Sequence, residues 1–124
     1  MHKPCVLVVE DDAIIATFLA EMLRDHGYRV AGPAHSGDEA LQLFTETTPS
    51  VALLDVNLKG TLYGTTVGAE LAQRGVGVIY LTGRVDLAVD CRDHAVDILG
   101  KPASDGMILN AITRAFDVIY AEAS

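Results

Sequence analysis

The run Val51-Ala52-Leu53-Leu54-Asp55-Val56-Asn57-Leu58 decides the fold. Its apolar start has the length and composition of a strand buried on both faces, and the chain turns soon afterwards at Gly60. Asp55 stands at the C-terminal end of that strand, where open α/β sheets bind their ligands. Working outward, the first apolar run, Cys5-Val6-Leu7-Val8-Val9, ends in Glu10-Asp11-Asp12, and the last one leads into Lys101-Pro102. Strand ends bearing acid, acid and lysine predict one site for a divalent cation and a phosphoryl group.

Strand and helix signals alternate along the rest of the chain. Ile14, Ile15, Phe18, Leu19, Met22 and Leu23 recur at helical spacing, with Asp12 as the expected N-cap and Gly27 as the stop. Tyr28–Ala31 reads as a second strand closed by Gly32-Pro33. Ser36 and Glu39 read as a capping box opening a second helix, which ends at Thr47-Thr48-Pro49. Thr65–Arg74 reads as the third helix, stopped by Gly75, and Val76–Leu81 as the fourth strand, ending in Thr82-Gly83. Asp97–Leu99 reads as the fifth strand, and Ser104 or Asp105 opens the last helix. Between the last two strands, charge is dense and large apolar residues are few, which predicts a short or irregular fourth helix. The expected fold is α/β: a doubly wound five-stranded parallel sheet with helices on both faces, in one domain over residues 1–124.

Bulk properties narrow the function. The net charge of -8 argues against direct binding to a nucleic-acid backbone. No apolar run is long enough to span a membrane, and Met1-His2-Lys3-Pro4 leads into a strand without a cleavage pattern. Cys5 and Cys91 are too few and too far apart for a disulfide framework or a zinc site, which suits a cytoplasmic protein. Cys5 reads as core and Cys91 as partly exposed. His2, His26, His35 and His94 show no ligand spacing and read as surface residues.

Four pieces together give a specific resemblance: Val8-Val9-Glu10-Asp11-Asp12, Leu54-Asp55-Val56-Asn57-Leu58, Thr82-Gly83 and Lys101-Pro102. In this order, each at a strand end, they resemble the receiver domain of response regulators in two-component signalling. Each piece alone has a plainer explanation, as a helix cap, a turn or a loop; capping needs do not place all four at successive strand tips. The resemblance implies a flavodoxin-like (βα)5 fold with strand order 2-1-3-4-5. It implies that Asp55 accepts a phosphoryl group from a sensor histidine kinase or phosphotransfer protein. It further implies magnesium held by Asp11, Asp55 and the backbone carbonyl of Asn57, with Glu10 assisting through water. Lys101, its bond to Pro102 in the cis form, would pair with the phosphoryl group and Thr82 would donate its hydroxyl to it. Output would go to a downstream protein, or to a second copy of the chain, through the face of helix four, strand five and helix five.

The chain also departs from the common receiver pattern. Ile98 stands on strand five where many receivers carry an aromatic, the connection from Thr82 to Lys101 is short, and Ala103 follows Lys101-Pro102 where phenylalanine is common. With the Thr82-Gly83 core, these features resemble the FATGUY-type receivers. They predict that Gly83–Val96 becomes ordered on phosphorylation. Tyr80 shares a face of its strand with Thr82 and reads as core. The competing function is a magnesium-dependent phosphohydrolase with an aspartate nucleophile, but Asn57 stands where such enzymes carry a second, proton-shuttling aspartate.

Overall fold

The structure, a computed structural model, describes residues 4–56, 64–83 and 91–123. In chain order these form β1 (Cys5–Val9), α1 (Ala13–Asp25), β2 (Arg29–Ala34), α2 (Gly37–Thr47), β3 (Val51–Asp55), α3 (Gly64–Gln73), β4 (Gly77–Thr82), β5 (Ala95–Gly100) and α4 (Asp105–Ala123). The strands make one sheet in the order β2-β1-β3-β4-β5, every pair parallel. This is the expected flavodoxin-like topology.

Alternate residues of each central strand feed two different cores. Leu7, Val9, Ala52, Leu54, Val78 and Tyr80 pack with Ala40 of α2 and with Val67 and Leu71 of α3. Val6, Val8, Val51, Leu53, Ile79 and Leu81 pack with Leu19 and Leu23 of α1 and with Ile108, Ile112 and Phe116 of α4. Helices therefore cover both faces, which is why β1, β3 and β4 read as continuous apolar runs rather than alternating ones.

Helix ends follow local chemistry. The Asp12 carboxylate accepts from the backbone N–H groups of Ile14 and Ile15 at 3.0 and 3.1 Å, capping α1 as expected. Replacing it (Asp12→Ala) is expected to cost about 1 kcal/mol in chemical denaturation, with the site geometry unchanged. Gly27 and Gly75, just past α1 and α3, have φ of 91° and 87°, a region glycine enters without strain. The Ser36 hydroxyl accepts from Glu39 N–H at 3.2 Å, but Glu39 closes the loop on His35 N–H at 3.1 Å, so the box is displaced by one residue.

Several boundaries differ from the sequence reading. β2 does not stop at Ala31; it continues through Gly32 and the cis-bonded Pro33 to Ala34, with a register shift opposite Leu7–Val9. As an edge strand it tolerates a residue with no N–H to donate, and the Ala34 carbonyl still accepts from Glu10 N–H at 2.9 Å. β5 starts two residues earlier than expected because Ala95 already pairs with Val78. The buried face of α1 is Ala16, Leu19, Ala20 and Leu23, leaving Ile14 70% and Phe18 68% exposed. Both strips satisfy helical periodicity, and the one carrying two alanines is the one the helix buries. Cys91 is buried rather than partly exposed, and Cys5 is core. The short or irregular fourth helix and the ordering of 83–96 fall largely on residues 84–90, outside the described residues; Cys91–His94 form a turn, with His94 N–H donating to the Cys91 carbonyl at 3.2 Å. Among the described residues, no helix is long and apolar enough to cross a membrane.

Candidate functional site

The sheet reverses direction of growth between β1 and β3, and the crevice of a doubly wound fold opens at that point. Val9 and Leu54 are register partners, so the two strands end side by side. Glu10 and Asp11 follow one, and Asp55 closes the other. Oxygen atoms of all three carboxylates lie within 4.8 Å of one another. Glu10 is 2% exposed and Asp55 8%, so neither charge is well solvated.

Lysine reaches this cluster from the far side of β4. Thr82 is opposite Gly100 in the β4–β5 ladder, and Lys101 N–H donates to the Thr82 carbonyl at 2.7 Å. From there the side chain extends across the strand ends. Its Nζ donates to Glu10 Oε1 at 2.9 Å and to Asp55 Oδ2 at 3.2 Å. The Lys101-Pro102 bond is cis, as expected. Four of the predicted residues, Glu10, Asp11, Asp55 and Lys101, thus meet in one pocket. Thr82 lies fully buried at the adjacent strand end, one residue beyond the Asp55–Leu81 register pair. Asn57 lies outside the described residues.

Three carboxylates face one ammonium, so the pocket is electronegative. Burial pushes the Glu10 carboxyl above its usual range, and Asp11 and Asp55 add to the rise, while Lys101 and the Asp12 N–H oppose it. Burial works against the Lys101 charge, but Glu10 and Asp55 outweigh it and raise the lysine above its usual value. Repulsion among close carboxylates is relieved by a hard cation with oxygen ligands, and this donor set fits magnesium.

Two features of the site were not read from the sequence. Gly64 opens α3 directly against the Asp55 strand tip. Its N–H donates to the Val56 carbonyl at 3.1 Å, and a Cβ there would collide with the Asp55 carbonyl oxygen. Gly64→Ala is expected to lose about 2 kcal/mol in urea unfolding, because the obstruction is backbone and cannot rotate away. A loop glycine just before a helix signal was the only available clue. The second feature is His94, which is not a plain surface residue: its Nε2 lies 2.7 Å from the Tyr80 hydroxyl in the core. Tyr80 itself is core, as expected.

Comparison with known proteins gives a consistent picture. Residues 6–113 match the response regulator receiver domain family. The transcriptional regulatory protein PdtaR of Mycobacterium tuberculosis is 35% identical over 89% of this chain and 55% of its own length. The transcriptional regulatory protein AfsQ1 of Streptomyces coelicolor is 36% identical over 90% of this chain and 50% of its own. The chain therefore spans about half the length of these relatives. A crystal structure of a response regulator receiver domain protein from Clostridium thermocellum superposes with a TM-score of 0.83 at 27% identity, covering 92% of this chain and 94% of that one.

Proposed function

The chain belongs to the response regulator receiver domain family, and from that premise we propose that it accepts a phosphoryl group on Asp55 and signals through protein contacts. The observation that carries this is the position of Lys101 Nζ, within hydrogen-bond reach of both Glu10 and Asp55. An ammonium held there sits where negative charge gathers during transfer.

An Asp55 carboxylate oxygen attacks phosphorus and forms the new P–O bond. The bond from phosphorus to the donor's imidazole nitrogen breaks, and its electron pair stays on that nitrogen. Lys101 pairs with a phosphoryl oxygen, and Thr82 donates its hydroxyl to another. Glu10, Asp11, Asp55 and the backbone carbonyl of Asn57 would hold magnesium. When bound, the cation neutralises charge on the carboxylates and on the phosphoryl oxygens.

The donor is a sensor histidine kinase or a phosphotransfer protein. A cleft of about 380 Å³ lined by Ile15, Leu19, Leu81, Pro102, Ala103 and Ile108 adjoins Lys101, and its apolar lining supports docking of that donor there. Output passes to a downstream protein through β5, α4 and the connection before β5, a face also open to a second copy of the chain. The domain spans residues 1–124, works in the cytoplasm, binds no nucleic acid directly and turns over no substrate beyond its own phosphoryl group. Its Thr82-Gly83 core and the Ile98 and Ala103 departures resemble those of the FATGUY-type receivers, which supports assigning it to that group.

The test is intact mass after incubation with acetyl phosphate and magnesium, followed by mapping of the modified residue. One added phosphoryl group on Asp55 is the expected result. No addition, or addition elsewhere, overturns the proposal. Multiple turnover of a small phosphomonoester would instead favour a phosphohydrolase.

A further inference from the structure

Tyr80 carries a hydroxyl into the apolar layer between the sheet and α3, where the residue is fully buried. A phenylalanine would fill the same core, and a buried hydroxyl is costly unless it is hydrogen-bonded. Tyr80 Oη lies 2.7 Å from His94 Nε2, and His94 Nδ1 lies 3.2 Å from Asp93 Oδ1. One tautomer satisfies both contacts. Nδ1–H donates to the Asp93 carboxylate, and Nε2 accepts the tyrosine hydrogen. Burial pushes the phenol upward, with Cys91 and Asp93 adding to the rise, so Tyr80 stays a donor.

The hydroxyl also touches α3. Its oxygen rests over Gly68, where any Cβ would collide with it, and it lies 3.4 Å from the Thr65 carbonyl. Thr65 is next to Gly64, the residue seated on the Asp55 carbonyl. Two residues along the same face of β4 is Thr82, and His94 immediately precedes β5, which runs on into Lys101. With its one hydrogen given to His94, the hydroxyl bonds the turn before β5 and packs on α3 at Gly68, so one side chain links the elements around Asp55, Thr82 and Lys101.

We propose that Tyr80 and His94 form a positioning pair: their hydrogen bond, seated on Gly68, fixes the ends of β3, β4 and β5 in the arrangement that phosphoryl transfer needs. Among the described residues neither shares a hydrogen bond or ion pair with the carboxylate cluster, so the pair acts through placement. It rests on the phosphoaccepting role of Asp55. Reacting groups misplaced by a fraction of an ångström to one ångström lose rate steeply.

The experiment measures the labelling rate with acetyl phosphate and magnesium, the magnesium dissociation constant and the melting temperature for the full chain and four variants. Tyr80→Phe and His94→Leu are expected to label about tenfold more slowly, a larger loss than any fall in magnesium affinity. His94→Gln restores most of the rate, because its amide oxygen accepts the tyrosine hydrogen. Ile112→Val, on the opposite face of the sheet, melts earlier and labels at the normal rate. Tyr80→Phe labelling at the normal rate overturns the proposal, as does slowing in all four variants in proportion to lost stability. Failure of the unaltered chain to label is a different outcome: it removes the phosphoaccepting role, and the positioning role with it.

Discussion

Asp55→Asn is expected to abolish phosphoryl uptake while leaving the fold intact. An amide has nearly the shape of a carboxylate but no anionic oxygen to attack phosphorus. The substitution also removes one of three crowded negative charges, and Lys101 keeps its shorter bond, at 2.9 Å, to Glu10. The metal-free variant should therefore melt no lower than the parent, while its magnesium affinity falls through loss of an anionic ligand. Intact mass, melting temperature and magnesium titration separate these effects. Uptake by the Asn variant would assign the acceptor role to another carboxylate, and Glu10 and Asp11 would be the first candidates. Unfolding of the variant would mean that Asp55 holds the strand tips together, contrary to a charge cluster that is under repulsion.

What the sequence makes legible follows from how each signal arises. β1, β3 and β4 are buried on both faces, so their apolar runs are continuous, and the polar residues ending those runs mark the sheet's open edge. Glu10, Asp55 and Lys101 were therefore visible as strand-end residues, and a parallel sheet of known order brings strand ends together. β2 reads as ending at Ala31 because Gly32-Pro33 is a terminator signal; only its edge position, a tertiary fact, lets it continue.

The unread features share a different origin. The apolar stripe read for α1 includes Ile14 and Phe18, which stay exposed; packing against the sheet buries Ala16 and Ala20 with Leu19 and Leu23 instead, because close approach favours the small residues. His94 has no local pattern; its partner lies 14 residues away on a neighbouring strand. Gly64 reads only as a loop glycine and Gly68 only as a helix residue, since what requires glycine is the Asp55 carbonyl in one case and the Tyr80 side chain in the other. Close approach between elements leaves no periodicity to read.

Lys101→Met should produce the largest change in stability, and its pH dependence identifies the cause. Lys101 bonds both Glu10 and Asp55, and among the described residues it is the cation paired with the buried Glu10 carboxylate. Removing the lysine leaves the buried Glu10 charge uncompensated, with a cost on the order of 3 kcal/mol at neutral pH. Because pairing raises the lysine's folded pKa, its stabilisation is complete below the unfolded value of about 10.4 and is lost only as pH rises through the higher folded value. The parent therefore has that contribution in full at pH 7, and the variant lacks it. Glu10 moves oppositely. Its folded pKa is already raised, and loss of Lys101 raises it further. The folded variant then binds more protons than the unfolded chain between the unfolded carboxyl value, about 4.3, and the folded one. Stability of the variant relative to the parent should consequently recover as pH falls through the folded Glu10 pKa. Urea unfolding of both proteins from pH 8 to pH 5, with a chelator present, gives the difference directly. Millimolar magnesium at neutral pH should close part of the same gap, because a cation bound to the folded state alone stabilises it by mass action. A gap that neither acid nor magnesium narrows would mean that Lys101 stabilises through its hydrocarbon stem, and the carboxylates would then not be the strained cluster their separations imply.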